Sequence, residues 1–534
     1  MVRLVLLAMC YLVLGPAAAV TASAAGVPAA SAERAGPHNS LVVAISADPA
    51  SFDPARNTAE PIGSEIILNV FDTLVAWAAP DFTRLEGRLA QSWTMADDGR
   101  SLTVQVRPGV RFQDGTPLDA QAVKFSLDRT RTLNPYMQGS FDAIDSMTVT
   151  APLTLRIALK RPMPVFLSLL AQPQAAIVSP TAVRRLGKDF SSRPVGTGAF
   201  ILRSYSPNTR VVLERNPDYF RGPSRLLRVI YRVIPDASTR RLELKYGGVD
   251  IGQQNGQLSS IPAEDIASFK QNGKVEVLMR PSQIVRQLEF NNNKRDSPVH
   301  DLRVRQAMAY AVDYDGLING VFSSLAERVY GPLPTSSAAF LPAMKTTAFR
   351  HDPVRARRLL AEAGYAPGQL KLTLYTYQGS IWANVATFLQ ANFADVGIVI
   401  TVQQTEFAQF RALQMAGQFD IALDGRQPWY NDPDAHITIG YLSSLAETAM
   451  TMRMPPDLGL DERIVAAQTT TDTAVRTRLY HALQQDIGAR VPAVYLFSNN
   501  IIIFKRREVQ GLVINSAPPL TEYWSVFKTT GGTR

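Results

Sequence analysis

Residues 286–313 read RQLEFNNNKRDSPVHDLRVRQAMAYAVD, and the reading of this stretch decides the architecture. Leu288 and Phe290 alternate with Gln287 and Glu289, the period of a strand with one buried face. A polar run of Asn, Lys, Arg, Asp, Ser and Pro follows, and then Val304, Ala307, Met308, Ala311 and Val312 recur at helical spacing. The pattern predicts a strand that ends one folded lobe, a crossing, and a helix that founds a second. An ordinary strand, loop and helix inside one domain has the same periodicity, so the flanking sequence has to arbitrate.

Beyond the crossing, Asp352 and Pro353 open a helix with Ala356, Leu359, Leu360 and Ala363 on one face, and Gly364 ends it. Leu370, Leu372 and Leu374 form a strand, Ile381, Val385, Phe388, Leu389 and Val396 a helix, and Ile398, Ile400 and Val402 a second strand, which makes a βαβ unit. The helix Phe407 to Ala416 and the strand Phe419, Ile421, Leu423 repeat it, so three parallel strands with covering helices are expected. Before the crossing, Leu41 to Ile45 is a strand, and Ile62, Ile66, Val70 and Leu74 mark an amphipathic helix. From Leu89 to Arg129, turns at Asp98-Gly99 and Asp114-Gly115 flank the alternating Leu102, Val104 and Val106; Asp119 then caps a helix carrying Val123, Leu127 and Thr130. The glycines of RPVGTGAF, residues 193–200, fit neither a P-loop nor a dinucleotide fingerprint, and read as tight-turn glycines.

The phrases LRVRQAMAYAVD and RPVGTGAF, with the long stretch from Leu89 to Arg129, resemble the signatures of the family 5 extracellular solute-binding proteins of ABC importers, the peptide, opine and nickel-carrier group. The resemblance runs from Leu41 to the C-terminus. It implies an α/β, two-lobed periplasmic-binding-protein fold, type II-like, with an extra subdomain in the first lobe and a ligand cleft between lobes. The implied order is signal peptide 1–24, flexible leader 25–40, first-lobe core 41–82, extra subdomain 83–192, first-lobe core 193–290, second lobe 291–494 and a return to the first lobe over 495–534. The implied function is capture of a small organic solute, such as a modified peptide, an opine or a sugar- or amino-acid-derived compound. A monomer without cofactor would hand it to ABC permease transmembrane subunits, with a chemoreceptor as a further partner.

Composition agrees with an exported protein. Arg3, the apolar run LVLLAMCYLVL and small residues at Ala17-Ala18-Ala19 and Ala22-Ser23-Ala24 read as a secretory signal, which directs the chain to the periplasm. The apolar run is shorter than the about 20 residues a membrane helix needs. Cys10 is the single cysteine and lies in that leader, which removes disulfides, thiolate metal sites and cysteine nucleophiles from the mature chain. The net charge of +9 is spread over 534 residues, and its basic clusters read as solvated faces rather than a nucleic-acid surface.

The candidate ligand residues follow from strand ends, where open α/β sheets bind ligands. The first is YTYQGS, with Tyr377 and Gln378; the second is DGRQPWYNDPDAHI, with Arg426, Trp429, Tyr430 and Asp432. Phe52, in a loop that resembles the family's cleft segment, Tyr136 in the loop after the first-lobe helix, and Asn291 at the crossing complete the set. Dipeptide carriers of the family hold the peptide amino group with an aspartate where this chain has Trp429, and YTYQGS has no arginine to match their carboxylate anchor, so plain dipeptides are expected to bind weakly. Trp429 is open to two readings, a stacking face for ligand or lobe packing, and Asp432 before Pro433 also fits simple turn chemistry. His436 raises a metal-chelate reading, but the 5 histidines have no ligand spacing. A secreted hydrolase is the rival class, against which stand the missing G-x-S-x-G and H-E-x-x-H patterns. N-terminal sequencing of exported protein is expected to start after Ala19 or Ala24; material that begins at Met1 would contradict the leader reading.

Overall fold

The computed structural model describes residues 39–529 except 59, 80–81, 83, 255–263, 429, 446–452, 456 and 515–520. Its centre is a 12-stranded sheet in two halves. The first half holds β1 (Ser40–Ile45), β2 (Phe200–Ser206), β3 (Arg210–Arg215), β4 (Arg228–Val233), β5 (Ile251–Gln254) and β6 (Val275–Pro281). The second holds β7 (Val285–Phe290), β8 (Ala326–Arg328), β9 (Lys371–Tyr377), β10 (Val399–Thr405) and β11 (Ile421–Arg426). One long strand, β12 (Ala493–Arg506), belongs to both: its first residues pair with β7 and β8, and its last with β5 and β6. The spatial order is β10-β9-β11-β7-β12-β5-β1-β4-β3-β2, with β6 and β8 alongside β12.

The expected parallel trio is present, β9 lying between β10 and β11 and parallel to both. Two first-lobe helices are α1 (Pro61–Val70) and α2 (Ala120–Leu133), and the helix after the crossing, α3, spans Leu302–Ala311. Its Val304, Ala307, Met308 and Ala311 are buried among Leu288, Phe290, Leu372 and Leu374. Capping chemistry sets the starts: Asp119 accepts from Ala122 N at 2.8 Å, and Asp352 accepts from Arg355 N at 2.9 Å to open α4 (Pro353–Glu362).

Two sequence expectations need correction. The strand Leu288–Phe290 does not end the first lobe: β7 pairs on one side with β11 and on the other with β12, so it already lies in the second half. The chain passes over earlier, at 282–284, and the return lies at 498–500, where β12 changes partners from β8 to β6. Nor does β7 have one buried face. Gln287 and Glu289 are as buried as Leu288 and Phe290, because α6 (Phe407–Ala416), the helix after α5 (Ser380–Asp395), covers the other side and Gln414 donates to Glu289 Oε2 at 3.1 Å. A central strand covered on both faces loses its polar alternation as a guide to exposure.

The extra subdomain is a four-stranded antiparallel sheet in the order 90–95, 101–106, 154–159, 144–151, with α2 packed on it. It is stitched to the first lobe by Arg129, whose guanidinium grips the buried Asp53 carboxylate at 2.6 and 2.5 Å. RPVGTGAF makes a second stitch. Gly196 and Gly198 are there for close approach rather than for a left-handed turn: neither has positive φ, and a Cβ on either would lie 2.4 Å from Val70 backbone atoms. Gln113 of the subdomain bonds into this contact, accepting from Gly196 N at 3.1 Å and donating to Val70 O at 3.0 Å. Gly196→Ala is therefore expected to lower the unfolding free energy by about 1–3 kcal/mol through overpacking, read by urea denaturation; a neutral result would show that the Val70 backbone yields freely.

Candidate functional site

The parallel strands β9 and β11 end at Tyr377 and Arg426, beside the first residues of β7 and the crossing at 282–284. The loop after β11 spans the two lobes. Tyr430 and Ala435 are buried in the apolar cluster of the extra subdomain, and Asn431 Nδ2 donates to Phe82 O of the first lobe at 2.6 Å. Gln283, on the crossing itself, donates to Asn431 Oδ1. The strand ends, the crossing and the first lobe thus converge at one place, as the rule for open α/β sheets requires of a ligand site.

Arg426 stands at its centre. The guanidinium is buried, 3.6 Å from Glu289 Oε1 and 5.8 Å above the Tyr441 ring on α7 (Asp434–Tyr441). None of its three nitrogens has a hydrogen-bond partner among the described residues. His436, on the same helix, is also fully buried, with no side-chain partner for either ring nitrogen among the described residues and the Gln283 backbone beside it; burial first, and the Arg426 charge second, push its pKa down to about 3. A neutral imidazole can donate or accept, and the guanidinium donates only, so together they present a polar set suited to an anion or a carbonyl. The Tyr441 hydroxyl completes that wall through a 2.8 Å hydrogen bond with Tyr495.

A second cation, Arg286, borders the site. Its Nε donates to Asn499 Oδ1 at 3.1 Å, its guanidinium lies 4.9 Å from the Trp382 ring, and it interacts with the Tyr377 hydroxyl. Burial is the largest influence on Tyr377 and pushes its hydroxyl up to about 12. Sequence reasoning missed Arg286, although a charged residue inside an apolar strand next to a chain crossing was a usable signal. It placed His436 in the same loop as Arg426 without counting it among the ligand residues.

The predicted residues separate into groups. Arg426 and Tyr377 lie at the strand ends, with Gln378 exposed next to Tyr377, its backbone N–H donating to Thr405 O at 3.1 Å. Arg426 is not free in solvent, since Glu289 already faces it. Tyr430 is a packing residue whose hydroxyl donates to Asp434 Oδ2 at 2.7 Å. Asp432 does more than turn the chain: Arg476 clamps both its oxygens at 2.9 and 2.7 Å, so its charge is spent inside the second lobe. Phe52 is buried in the first-lobe core with its ring edge-on to Tyr205 at 5.1 Å, and Asn291 is buried, donating to Gly417 O and Phe419 O at 3.0 Å each. Neither of these two is brought to the strand ends. Tyr136 falls within a short helix, Pro135–Phe141, rather than in a loop, and Trp429 lies outside the described residues.

Comparison with known proteins agrees with this architecture. The family model for bacterial extracellular solute-binding proteins, family 5 Middle, matches residues 84–445. The probable D,D-dipeptide-binding periplasmic protein DdpA of Escherichia coli (strain K12) is 28% identical over 507 residues, covering 93% of this chain and 95% of the relative. The glutathione-binding protein GsiB of Escherichia coli O1:K1 / APEC is 30% identical over 445 residues, covering 81% and 84%. Among solved structures, HbpA2 from Haemophilus parasuis superposes with a TM-score of 0.81 at 23% identity, covering 92% of this chain and 100% of that one, which speaks for the fold.

Glu289 gives the site a measurable signature. Its burial first, and the nearby Asp424 charge second, push its carboxyl from 4.5 up to about 7, against the pull of Arg426. Below pH 4.5 the folded and the unfolded chain both hold this proton; between 4.5 and about 7 only the folded chain keeps it, so the stability it contributes is full at low pH and lost as pH rises. At about 1.4 kcal/mol per pKa unit the loss is on the order of 3 kcal/mol. Glu289→Gln is expected to flatten that part of the pH dependence in urea denaturation at pH 4.5 and 7.5, and an unchanged slope would contradict a protonated Glu289.

Proposed function

The chain belongs to the family 5 bacterial extracellular solute-binding proteins, the substrate-binding components of ABC importers, and from that premise we propose that its solute is a small organic acid whose carboxylate is held by Arg426. The observation that carries this reading is the buried Arg426 guanidinium at the end of β11, whose three nitrogens have no hydrogen-bond partner among the described residues. A buried cation without hydrogen bonds costs several kcal/mol, and an anionic ligand offsets that cost in the bound state alone. Such differential contact is what shifts a two-lobed carrier from open to closed. Tyr377 and Gln378 lie at the neighbouring strand end, and Trp429 follows Arg426 in the same loop, so these three are proposed to contact the body of the solute.

The same loop disfavours a free ammonium group. By the sequence resemblance Trp429 takes the place of an aspartate of the dipeptide carriers, Asp432 is spent on Arg476, and Asp434 is buried against Tyr430 and Thr438. Modified or N-blocked acids therefore fit better than plain dipeptides. The relatives are a probable D,D-dipeptide-binding protein and a glutathione-binding protein; the ligands so named carry carboxylates, which supports the anion reading, and free amino groups, which the loop of this chain is proposed not to hold. The leader reading places the mature chain in the periplasm, as its D,D-dipeptide-binding relative is.

Mass spectrometry of small molecules released from natively purified protein tests both the class and the role. A carrier returns an acid unchanged, whereas a hydrolase returns products. In titration calorimetry with the released compound, Arg426→Gln is expected to weaken binding roughly tenfold to a hundredfold, since a hydrogen bond to a charged group is worth about 1.5–3 kcal/mol. Unchanged affinity in a less stable variant would make Arg426 a partner of Glu289 and nothing more.

A further inference from the structure

The second lobe contains a cavity of about 420 Å³ that shares only Tyr495 with the residues described around Arg426. Its wall comes from α3, from the residues following β8, from the short helix Met344–Thr347 and the segment after it to Phe349, from α9 (Thr473–Arg490), the helix after α8 (Leu458–Thr469), and from the start of β12. No residue of the loop from Arg426 to His436 takes part. The volume falls within the range of about 300–1,000 Å³ that small-molecule sites occupy.

Arg328 is the charged member of the wall. Its guanidinium carbon lies 4.0 Å from the centroid of the Tyr314 ring and 4.9 Å from that of Tyr330, and one terminal nitrogen donates to Phe349 O. Those contacts hold the planar group in one orientation. They do not neutralise it, for among the described residues no carboxylate lies within ion-pairing distance, and Nε is buried without a hydrogen bond. The remaining wall is chiefly apolar, with Met344 and Phe349 as its large side chains, interrupted by the amides of Gln306 and Gln485.

We propose that this cavity is a second binding site, for a small monocarboxylic acid with an apolar body. A fixed guanidinium edge suits the planar fork of a carboxylate. One cation in an apolar surround favours one negative charge, because a strongly hydrated dianion would lose more solvation than a single guanidinium restores. The acyl or aromatic portion packs on Met344 and Phe349, and the two glutamine amides read any further polar group. At about 30 Å³ per water-sized volume the space takes about a dozen non-hydrogen atoms. The site rests on Arg328 rather than Arg426, with Tyr495 standing between the two, so its charge preference is tested independently of the proposed transport solute.

The test uses full-length mature protein, phenylacetate and hexanoate as probes, and phenylacetamide as the uncharged control. Calorimetry is expected to show one site for each acid and at least tenfold weaker binding of the amide. Arg328→Gln should remove the preference for acid over amide, Ala489→Leu should block all three probes by filling the cavity, and Arg426→Gln should leave probe binding as it was. If Arg328→Gln fails to fold, the filling variant and the amide comparison decide the matter. No binding of either acid at millimolar concentration, equal affinity for acid and amide, or loss of probe binding in Arg426→Gln would each overturn the proposal, the last by placing the probes at the strand-end site.

Discussion

Two adjacent segments of backbone carry the second lobe, and the rest of the molecule depends on them. β12 passes without interruption from one half of the sheet to the other, while its antiparallel neighbour breaks into β6 and β7 around residues 282–284. At the break the Ser282 and Ser498 hydroxyls lie 3.1 Å apart, and Ser336 donates to Ser282 O at 2.7 Å. Each side has its own apolar core, one built around β1, β3 and β4, the other around β7, β9, β11 and α3. A rotation about these segments leaves these two cores packed, and it has to move the contact that Tyr430, Asn431 and Ala435 make with the extra subdomain and Phe82. It also explains why the strand-end site includes Gln283 and lies next to Asn499: a ligand there touches the elements that move.

Beneath that site the second lobe holds an unusual density of buried charge. Glu289 and Asp424 lie close together under Arg426 and Arg411, with Arg411 bonded to Asp424 at 2.5 Å and Gln414 reaching both carboxylates. An apolar core of the same volume would be at least as stable. Keeping Arg426 within 3.6 Å of a carboxyl pushed up to about 7, without a hydrogen bond between them, leaves the guanidinium free to take a stronger anion. Local destabilisation of this kind is what a binding protein needs if ligand contact is to decide between open and closed states.

Much of the fold was legible in the sequence because its signals were local. The period of Val304, Ala307, Met308 and Ala311 reported a buried helix face, the Asp119 and Asp352 caps marked helix starts, and the repeated strand and helix pattern from Leu370 to Leu423 described the parallel trio. The crossing was misplaced because nothing at Ser282-Gln283 separates one strand of a broken pair from its continuation, while the polar run after Phe290 has every mark of a linker. Strand pairing, which decides the lobe, is a long-range property. The position of Arg426 at a strand end and its nearness in sequence to His436 were legible, but the approach of Glu289 was hidden, since it comes from β7. Phe52 and Asn291 sit in stretches that look irregular, yet tertiary packing buries both.

The claim that matters most is that a solute bound at the strand ends of the second lobe draws the lobes together about the 282–284 and 498–500 segments. Small-angle scattering tests it directly, on protein stripped of small molecules and then supplied with the compound recovered from natively purified material. The radius of gyration is expected to fall as the site fills and to rise again when the compound is dialysed away. Unchanged dimensions at saturation would contradict the account.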